Sequence, residues 1–146
     1  MTGMRELERN LERLKRSTRK AVGRRVLKKA AEPVAQLAAD LSPYDEGDLE
    51  AGLAVSHRLS RRDKLRHPEP SSGTVEMFIG PAVRGRQGYP YPQAIFQEFG
   101  SSKQAPQPFL RPAWESERGA MLDRIGDALR IEIAKTLARV AARARR

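Results

Sequence analysis

Residues 91–114, YPQAIFQEFGSSKQAPQPFLRPAW, decide the fold of this chain. Aromatic residues make up only 5% of the 146 residues, yet this stretch contains Phe96, Phe99, Phe109 and Trp114. Aromatic side chains bury a large apolar area per residue and dominate the energetics of cores and interfaces. We therefore expect these four side chains to anchor the core or a subunit interface.

The first part of this stretch predicts a short helix. Residues 93–99 can form two helical turns that place Ala94, Ile95 and Phe99 on roughly one side. Gly100 suits the left-handed backbone conformation that commonly ends a helix, because glycine has no Cβ to clash there. The helix should therefore stop at Phe99.

The second part predicts an extended crossing and then a long helix. Pro106 and Pro108 disfavour a helix before Phe109, whereas Pro112 suits the first turn of the helix that follows. Near-helical spacing then continues for some 30 residues, about 45 Å. The apolar residues with this spacing are Trp114, Met121, Ile125, Leu129, Ile133, Leu137 and Val140. We expect part of this stripe to meet the first helix or a neighbouring subunit, and the basic end, residues 139–146, to be frayed.

The N-terminal region predicts an amphipathic helix over residues 4–41, with apolar residues at intervals of three and four. Its first half is thinly apolar and strongly charged, so residues 1–25 are expected to project from the body. Pro33 interrupts the pattern and should either kink the helix or start a second one. Residues 42–47, SPYDEG, have the composition of a turn that ends this region.

Two short strands are expected between the helical regions. From Leu53 the side chains alternate, with Val55, His57 and Leu59 on the same face as Leu53. Residues 74–79 alternate in the same way, and the polar loop between the two runs is not a helix, so antiparallel pairing is favoured. The predicted fold is one α+β domain over residues 1–146. It comprises a long N-terminal helix, an antiparallel sheet of two to four strands, a short helix and a long C-terminal helix.

The net charge of +10 and the pI of 10.6 suggest a polyanionic partner. Much of the excess lies near the two ends and in residues 58–66, and no compact sequence-reading motif accompanies it. Arg84 and Arg86, in a loop with glycines, are candidates to face DNA without reading its sequence. The charge alone therefore supports a basic nucleic-acid-binding accessory protein as one alternative.

The sequence offers little that could perform catalysis. There is no cysteine, and the two histidines, His57 and His67, cannot complete a zinc site with the usual ligands. No serine lies in a nucleophile motif, and no apolar run approaches the length of a membrane span. We expect no enzymatic activity, no metal, no cofactor and no membrane contact.

Two motifs resemble the gene-product-ten-like family of tailed phages. Residues 98–101, EFGS, and 108–113, PFLRPA, resemble its "EFGT … PFLRPA" signature, with Ser101 in place of threonine. Residues 42–49, SPYDEGDL, resemble its P-x-D-T-G-x-L pattern, with Glu46 in place of threonine. With residues 79–81, IGP, between them, the resemblance covers roughly residues 25–125.

The resemblance implies a structural virion protein of the head–tail interface: a neck, tail-completion or tail-terminator protein of a phage, prophage or gene transfer agent. It implies a homo-oligomeric ring, a hexamer or dodecamer, that joins head to tail around the DNA channel. The implied partners are head-completion or connector proteins, tail tube proteins and, non-specifically, DNA. The implied location is the virion, after assembly in the cytoplasm of the bacterial host.

The signature residues are the candidates for the subunit interface or core. They are Phe96, Glu98, Phe99, Gly100, Pro108, Phe109, Leu110, Arg111, Pro112 and Trp114. Glu98 and Arg111 are flanked by large apolar groups, and a partly buried charge must be paired. We expect the two side chains to form a bidentate ion pair, within the subunit or across a subunit contact. The alternative is that both are solvated at the rim.

Overall fold

Two long helices, of 26 and 35 residues, are the largest elements of the described structure. The computed structural model describes residues 2–43, 53–59, 64–81 and 92–145. The elements, in chain order, are α1 (Thr2–Glu12), α2 (Arg16–Leu41), β1 (Leu53–Ser56), β2 (Phe78–Pro81), α3 (Pro92–Phe99) and α4 (Leu110–Ala144). This mixed α+β, mostly helical architecture confirms the predicted fold class and order of elements.

The N-terminal helix is interrupted at residues 13–15 and not at Pro33. The amide of Leu14 donates to the Leu11 carbonyl oxygen at 3.1 Å, which closes the last turn of α1, and Lys15 is extended with ψ of 145°. This turn buries Leu14. Pro33 lies within α2, where the flanking residues Ala31 and Val34 are buried, so their packing outweighs the loss of one helical hydrogen bond. Of the two alternatives predicted at Pro33, the start of a second helix is not found, because the helix continues through this residue.

The first helix packs against the body instead of projecting from it. Leu7 and Leu11 contact a cluster formed by Val22, Val26 and Ile133, which are almost fully buried. The few apolar side chains of α1 are therefore enough to cover α4 around Ile133. Because Leu14 and Val22 are also buried, the expectation that residues 1–25 project is not met in this structure.

The sheet has two antiparallel strands, as predicted, but both are short. Leu53 pairs with Pro81 and Val55 pairs with Ile79. Strand β1 ends at Ser56, whose hydroxyl oxygen accepts a hydrogen bond from the Arg58 amide at 3.0 Å, a local turn that competes with the ladder. His57 therefore lies beyond the strand and is exposed, so its predicted place on the apolar face was wrong. Strand β2 begins four residues later than the alternation predicted.

The core consists of two clusters along α4. The upper cluster joins α2, α3 and the start of α4 through Val34, Ala38, Ala94, Phe109 and Ala113. The lower cluster joins α2 and α4 and is covered by α1. The α4 stripe thus meets the first helical region, as expected.

Helix α4 extends beyond the length that the sequence predicted. It has 35 residues and continues to Ala144, through most of the end that was expected to be frayed. It also leaves large apolar side chains exposed at Leu122, Ile131 and Val140. Within the described ranges, no helix has the length and apolar character needed to cross a membrane.

Candidate assembly surface

Helix α3 presents two opposite faces. Ala94 and Glu98, one turn apart, are only 4% and 7% exposed and face the upper cluster. Ile95, Phe96 and Phe99 are 62%, 50% and 66% exposed. The sequence had suggested that Ala94, Ile95 and Phe99 share one side, but only Ala94 points inward.

The carboxylate of Glu98 caps the N-terminus of α4. Its Oε2 accepts hydrogen bonds from the amides of Phe109 and Leu110, both at 2.9 Å, and its Oε1 accepts one from the amide of Arg111 at 3.0 Å. Pro112, the next residue, has no amide hydrogen to satisfy. Helix N-termini leave their first amides without partners inside the helix, and one side chain here supplies all the acceptors that the first turn needs.

The cap determines the ionisation of Glu98. Burial raises the pKa of its carboxyl group, but the three amide hydrogen bonds and the Arg111 guanidinium outweigh burial and bring the pKa below the ordinary 4.5. The partial positive charge of the helix N-terminus acts in the same direction. Glu98 is therefore a buried carboxylate that is ionised at neutral pH and bound by backbone donors.

The predicted ion pair between Glu98 and Arg111 is not formed within the subunit. Among the described residues, the ion pairs join other side chains, and the contact of Arg111 with Glu98 is a hydrogen bond from its backbone amide. Its oxygens are already occupied by amides of the helix terminus. The guanidinium of Arg111 instead lies outside, 6.0 Å from the centre of the Phe99 ring. Glu98 was correctly expected to be buried, but its partners within the subunit are backbone amides, and pairing of Arg111 across a subunit contact stays a prediction.

The loop between α3 and α4 is held at several points. Gly100 has φ of +77°, as the sequence predicted, and a Cβ there would lie 2.9 Å from the Pro106 nitrogen. The Gly100 amide donates to the Phe96 carbonyl at 2.8 Å, and the Gln107 amide donates to the Gln97 carbonyl at 2.7 Å. These bonds and the Glu98 cap fix α3 against the start of α4.

The exposed side chains of this junction form what we call the aromatic patch: Ile95, Phe96, Phe99 and Trp114. Trp114, on the first turns of α4, is 44% exposed. Arg111 connects the two helices on this surface, because it lies over Phe99 and is one turn before Trp114 on the same helix face. Aromatic residues and arginine are enriched among the residues that anchor protein interfaces.

The structure separates the signature residues into two groups. Phe109 is fully buried and Leu110 and Pro112 are partly buried, which is the core role expected for them. Pro108 and the aromatic side chains of Phe96, Phe99 and Trp114 are exposed, so they do not form the core of the subunit. For them the predicted interface role remains a prediction.

A second surface lies farther along α4. An open groove of 1290 Å³ runs between α2, β1 and α4. Small and apolar side chains line much of it: Ala35, Ala39, Leu53, Val55 and Ile131. Its α4 wall begins at Arg124, ten residues beyond Trp114, which corresponds to about 15 Å along the helix.

Several predicted residues lie outside the described part of the chain. Arg84 and Arg86 are among them, as is most of the motif at residues 42–49. Ser42 itself is described, and its hydroxyl donates to the Ala39 carbonyl at 2.7 Å at the end of α2. Over residues 2–43, 53–59, 64–81 and 92–145, no group of three or more His, Asp or Glu side chains has a metal-binding arrangement.

Sequence reasoning missed the cap, although a signal for it exists. The residue before α4 is Phe109, which provides no side-chain cap, and Gln107 and Pro108 precede it. A helix that begins without Ser, Thr, Asp or Asn needs an acceptor from elsewhere in the chain. The only carboxylate within residues 91–114 is Glu98.

Comparison with known proteins gives one match. The family model described as "Bacteriophage HK97-gp10, putative tail-component" matches residues 5–100, which is about two thirds of the 146 residues. The match includes α2, both strands and α3 with the Glu98-Phe99-Gly100 half of the signature. Searches of curated proteins and of solved structures found no match. The chain belongs to the HK97-gp10-like family of phage tail components.

Proposed function

We propose that this chain is a structural protein of the virion's head–tail interface, acting as a neck, tail-completion or tail-terminator protein. Its copies form a hexameric or dodecameric ring that joins head to tail around the DNA channel. The ring contacts head-completion or connector proteins on one side and tail tube proteins on the other. This role needs no catalytic group and no cofactor.

The observation that carries the proposal, beyond family membership, is the aromatic patch. Phe96, Phe99 and Trp114 are exposed by 44–66% although the chain has few aromatic residues. Large exposed apolar groups that cluster on one surface mark interaction sites. The Glu98 cap and the Gly100 turn hold this surface in one arrangement, which reduces the conformational entropy lost when a partner binds.

A ring also requires two different surfaces on each subunit, because head-to-tail contacts pair unlike patches. The groove between α2, β1 and α4 provides a second surface with an apolar lining. In the proposed ring, the aromatic patch of one copy contacts the groove side of the next. Glu32 at the groove supplies a carboxylate for the exposed guanidinium of Arg111, whereas Asp127 is paired with Arg130 and Lys28, Lys29 and Arg124 line the same groove.

The test uses particles made without this chain and complemented with variants. Wild-type protein should restore joined, tailed particles by electron microscopy. The double variant Phe96→Ser/Phe99→Ser should fold, with an unchanged circular dichroism spectrum, and leave heads and tails separate. The matched control is Leu65→Ser, which removes an 86% exposed apolar side chain away from the patch. It should behave as wild type.

Two results would contradict the proposal in different ways. If the double variant still gives joined particles, the aromatic patch is not part of the interface. Joined particles in the complete absence of the chain would overturn the head–tail role. The alternative, a basic nucleic-acid-binding accessory protein, is motivated by the charge of +10. It predicts that joining is unaffected by loss of the chain.

A further inference from the structure

A basic cleft lies beside the N-terminal half of α2, about 15 Å along the helix from the part that carries Val34 and Ala38. Lys20 and Arg24, one turn apart on α2, form one wall, and Arg58, just after β1, and Lys64 contribute from the following segments. The cleft has a volume of 430 Å³. Four cations from three separate parts of the chain therefore converge on one concave surface.

Local contacts hold the wall that faces α2. A Cβ built on Gly23 would lie 3.1 Å from Cγ2 of Val75, so the chain approaches the helix closely at this point. The His67 ring contacts the edge of Phe78 with ring centres 5.2 Å apart, and its Nε2 is 3.1 Å from Glu76 Oε2. The cleft is thus a shaped surface and not only a charged helix face.

The cations of the cleft lack carboxylate partners among the described residues. Elsewhere Arg25, Arg124, Arg130 and Lys135 each lie within 4 Å of a carboxylate oxygen. Over the ranges described, no carboxylate oxygen lies within 4 Å of the four cleft cations, Lys20, Arg24, Arg58 and Lys64. The carboxylates that line the cleft are Glu69 and Glu76, and Glu76 is engaged by His67. The cleft therefore carries an excess of positive charge, which attracts anions into a concave surface.

We propose that this cleft binds the phosphodiester backbone of duplex DNA. Lysine and arginine side chains are the usual phosphate ligands, and cations spaced along a helix and a neighbouring loop can contact successive phosphates. The four basic side chains of the cleft are long and flexible and do not preset a base-reading geometry, so we expect a contact that is independent of sequence. The choice of DNA as the polyanion rests on the proposed position around the DNA channel.

The test measures binding of the free subunit to a short duplex of random sequence by fluorescence anisotropy, between about 50 and 200 mM NaCl. The cleft variant is Lys20→Gln/Arg24→Gln/Arg58→Gln. Its control is Arg9→Gln/Lys103→Gln/Arg118→Gln, which lowers the net charge equally at exposed positions outside the cleft. The cleft variant should reduce the slope of log affinity against log salt by about 0.9 for each phosphate that it no longer neutralises. The control should leave that slope close to the wild-type value.

Three results would overturn the cleft. The first is that the wild type does not bind the duplex at low salt. The second is that the cleft variant and its control lose the same affinity. The third is that polyglutamate, at an equal concentration of charge, displaces the duplex. Circular dichroism and thermal unfolding check each variant. If the triple variant does not fold, the single variants Arg58→Gln and Lys64→Gln, on exposed side chains outside α1 to α4, give the same comparison.

The particle assay separates this proposal from the proposed function. If the subunit does not bind DNA but its rings still join heads to tails, the cleft is not a DNA site and the head–tail role is unaffected. If the cleft binds DNA but particles are joined without the chain, the head–tail role is disproved and DNA binding by the cleft is unaffected.

Discussion

The inner and outer faces of the junction between α3 and α4 have similar side chains in opposite environments. Phe109 and Ala113 are completely buried, whereas Phe99 is 66% exposed, although all three belong to the same 24-residue stretch. The difference in exposure depends on whether each side chain lies on the side of the junction that faces α2 or on the side that faces away from it. The inner face determines stability and, in our proposal, the outer face determines assembly.

The largest expected effect is on the inner face. Phe109→Ala should lower the free energy of unfolding of the subunit by about 3–5 kcal/mol, because it removes a fully buried phenyl group and leaves a cavity between α2 and α4. Urea unfolding followed by circular dichroism measures this change. A loss below about 1 kcal/mol, the typical effect of an average point mutation, would mean that Phe109 is not the centre of the upper cluster.

The second effect concerns the cap. Glu98→Gln should cost about 2 kcal/mol at pH 7, since hydrogen bonds to a charged group are among the stronger ones and an amide side chain keeps only one accepting oxygen. At least one of the amides of Phe109, Leu110 and Arg111 then loses its acceptor. Urea unfolding at pH 7 compares this variant with the wild type.

The same comparison has a pH dependence with a definite sign. The pKa of Glu98 in the folded chain lies below 4.5, its ordinary value, so the unfolded chain takes up the proton first as pH falls. The stabilisation that the ionised Glu98 cap provides is fully present above about pH 4.5. It is lost progressively as the pH drops toward and through the lower pKa of the folded state. The difference between wild type and Glu98→Gln should therefore shrink in acid.

The control for the cap is Glu115→Gln. Glu115 is exposed near the start of α4 and accepts no side-chain hydrogen bond among the described residues, so this substitution removes the same charge without removing the cap. It should cost only a few tenths of a kcal/mol, the scale of a surface charge near a helix dipole. Equal losses in the two variants would show that charge, and not the three amide bonds, stabilises the junction.

Much of this junction could be predicted because its signals are local. The positive φ of Gly100 and the position of Pro112 in the first turn of α4 follow from the backbone preferences of single residues. The presence of a long C-terminal helix follows from its apolar periodicity, although not its full length, and the antiparallel pairing of the strands follows from the connection between them. These features depend little on distant parts of the chain.

What could not be predicted depends on contacts between distant residues. The bonds of Glu98 reach 11 to 13 residues along the chain to backbone groups, and a side-chain pattern does not show free amides. After Leu14 the next apolar residue is Ala21, and this gap by itself indicates neither a break at residues 13–15 nor the burial of Leu14. Apolar composition also does not distinguish an aromatic residue of the core from one that contacts a partner, so the sequence predicts either role for Phe96, Phe99 and Trp114.

Among the signature residues, the smallest expected effect on stability is on the outer face. Phe99→Ala should cost the isolated subunit about 0.5–1 kcal/mol, because the ring is mostly exposed and its main contact is the Arg111 guanidinium at 6.0 Å. If that contact accounts for the loss, Arg111→Gln should cost a similar amount and the double variant less than the two together. A loss approaching that of Phe109→Ala would mean that Phe99 belongs to the core after all. An unchanged subunit that no longer supports joining of heads to tails would place the role of Phe99 in assembly.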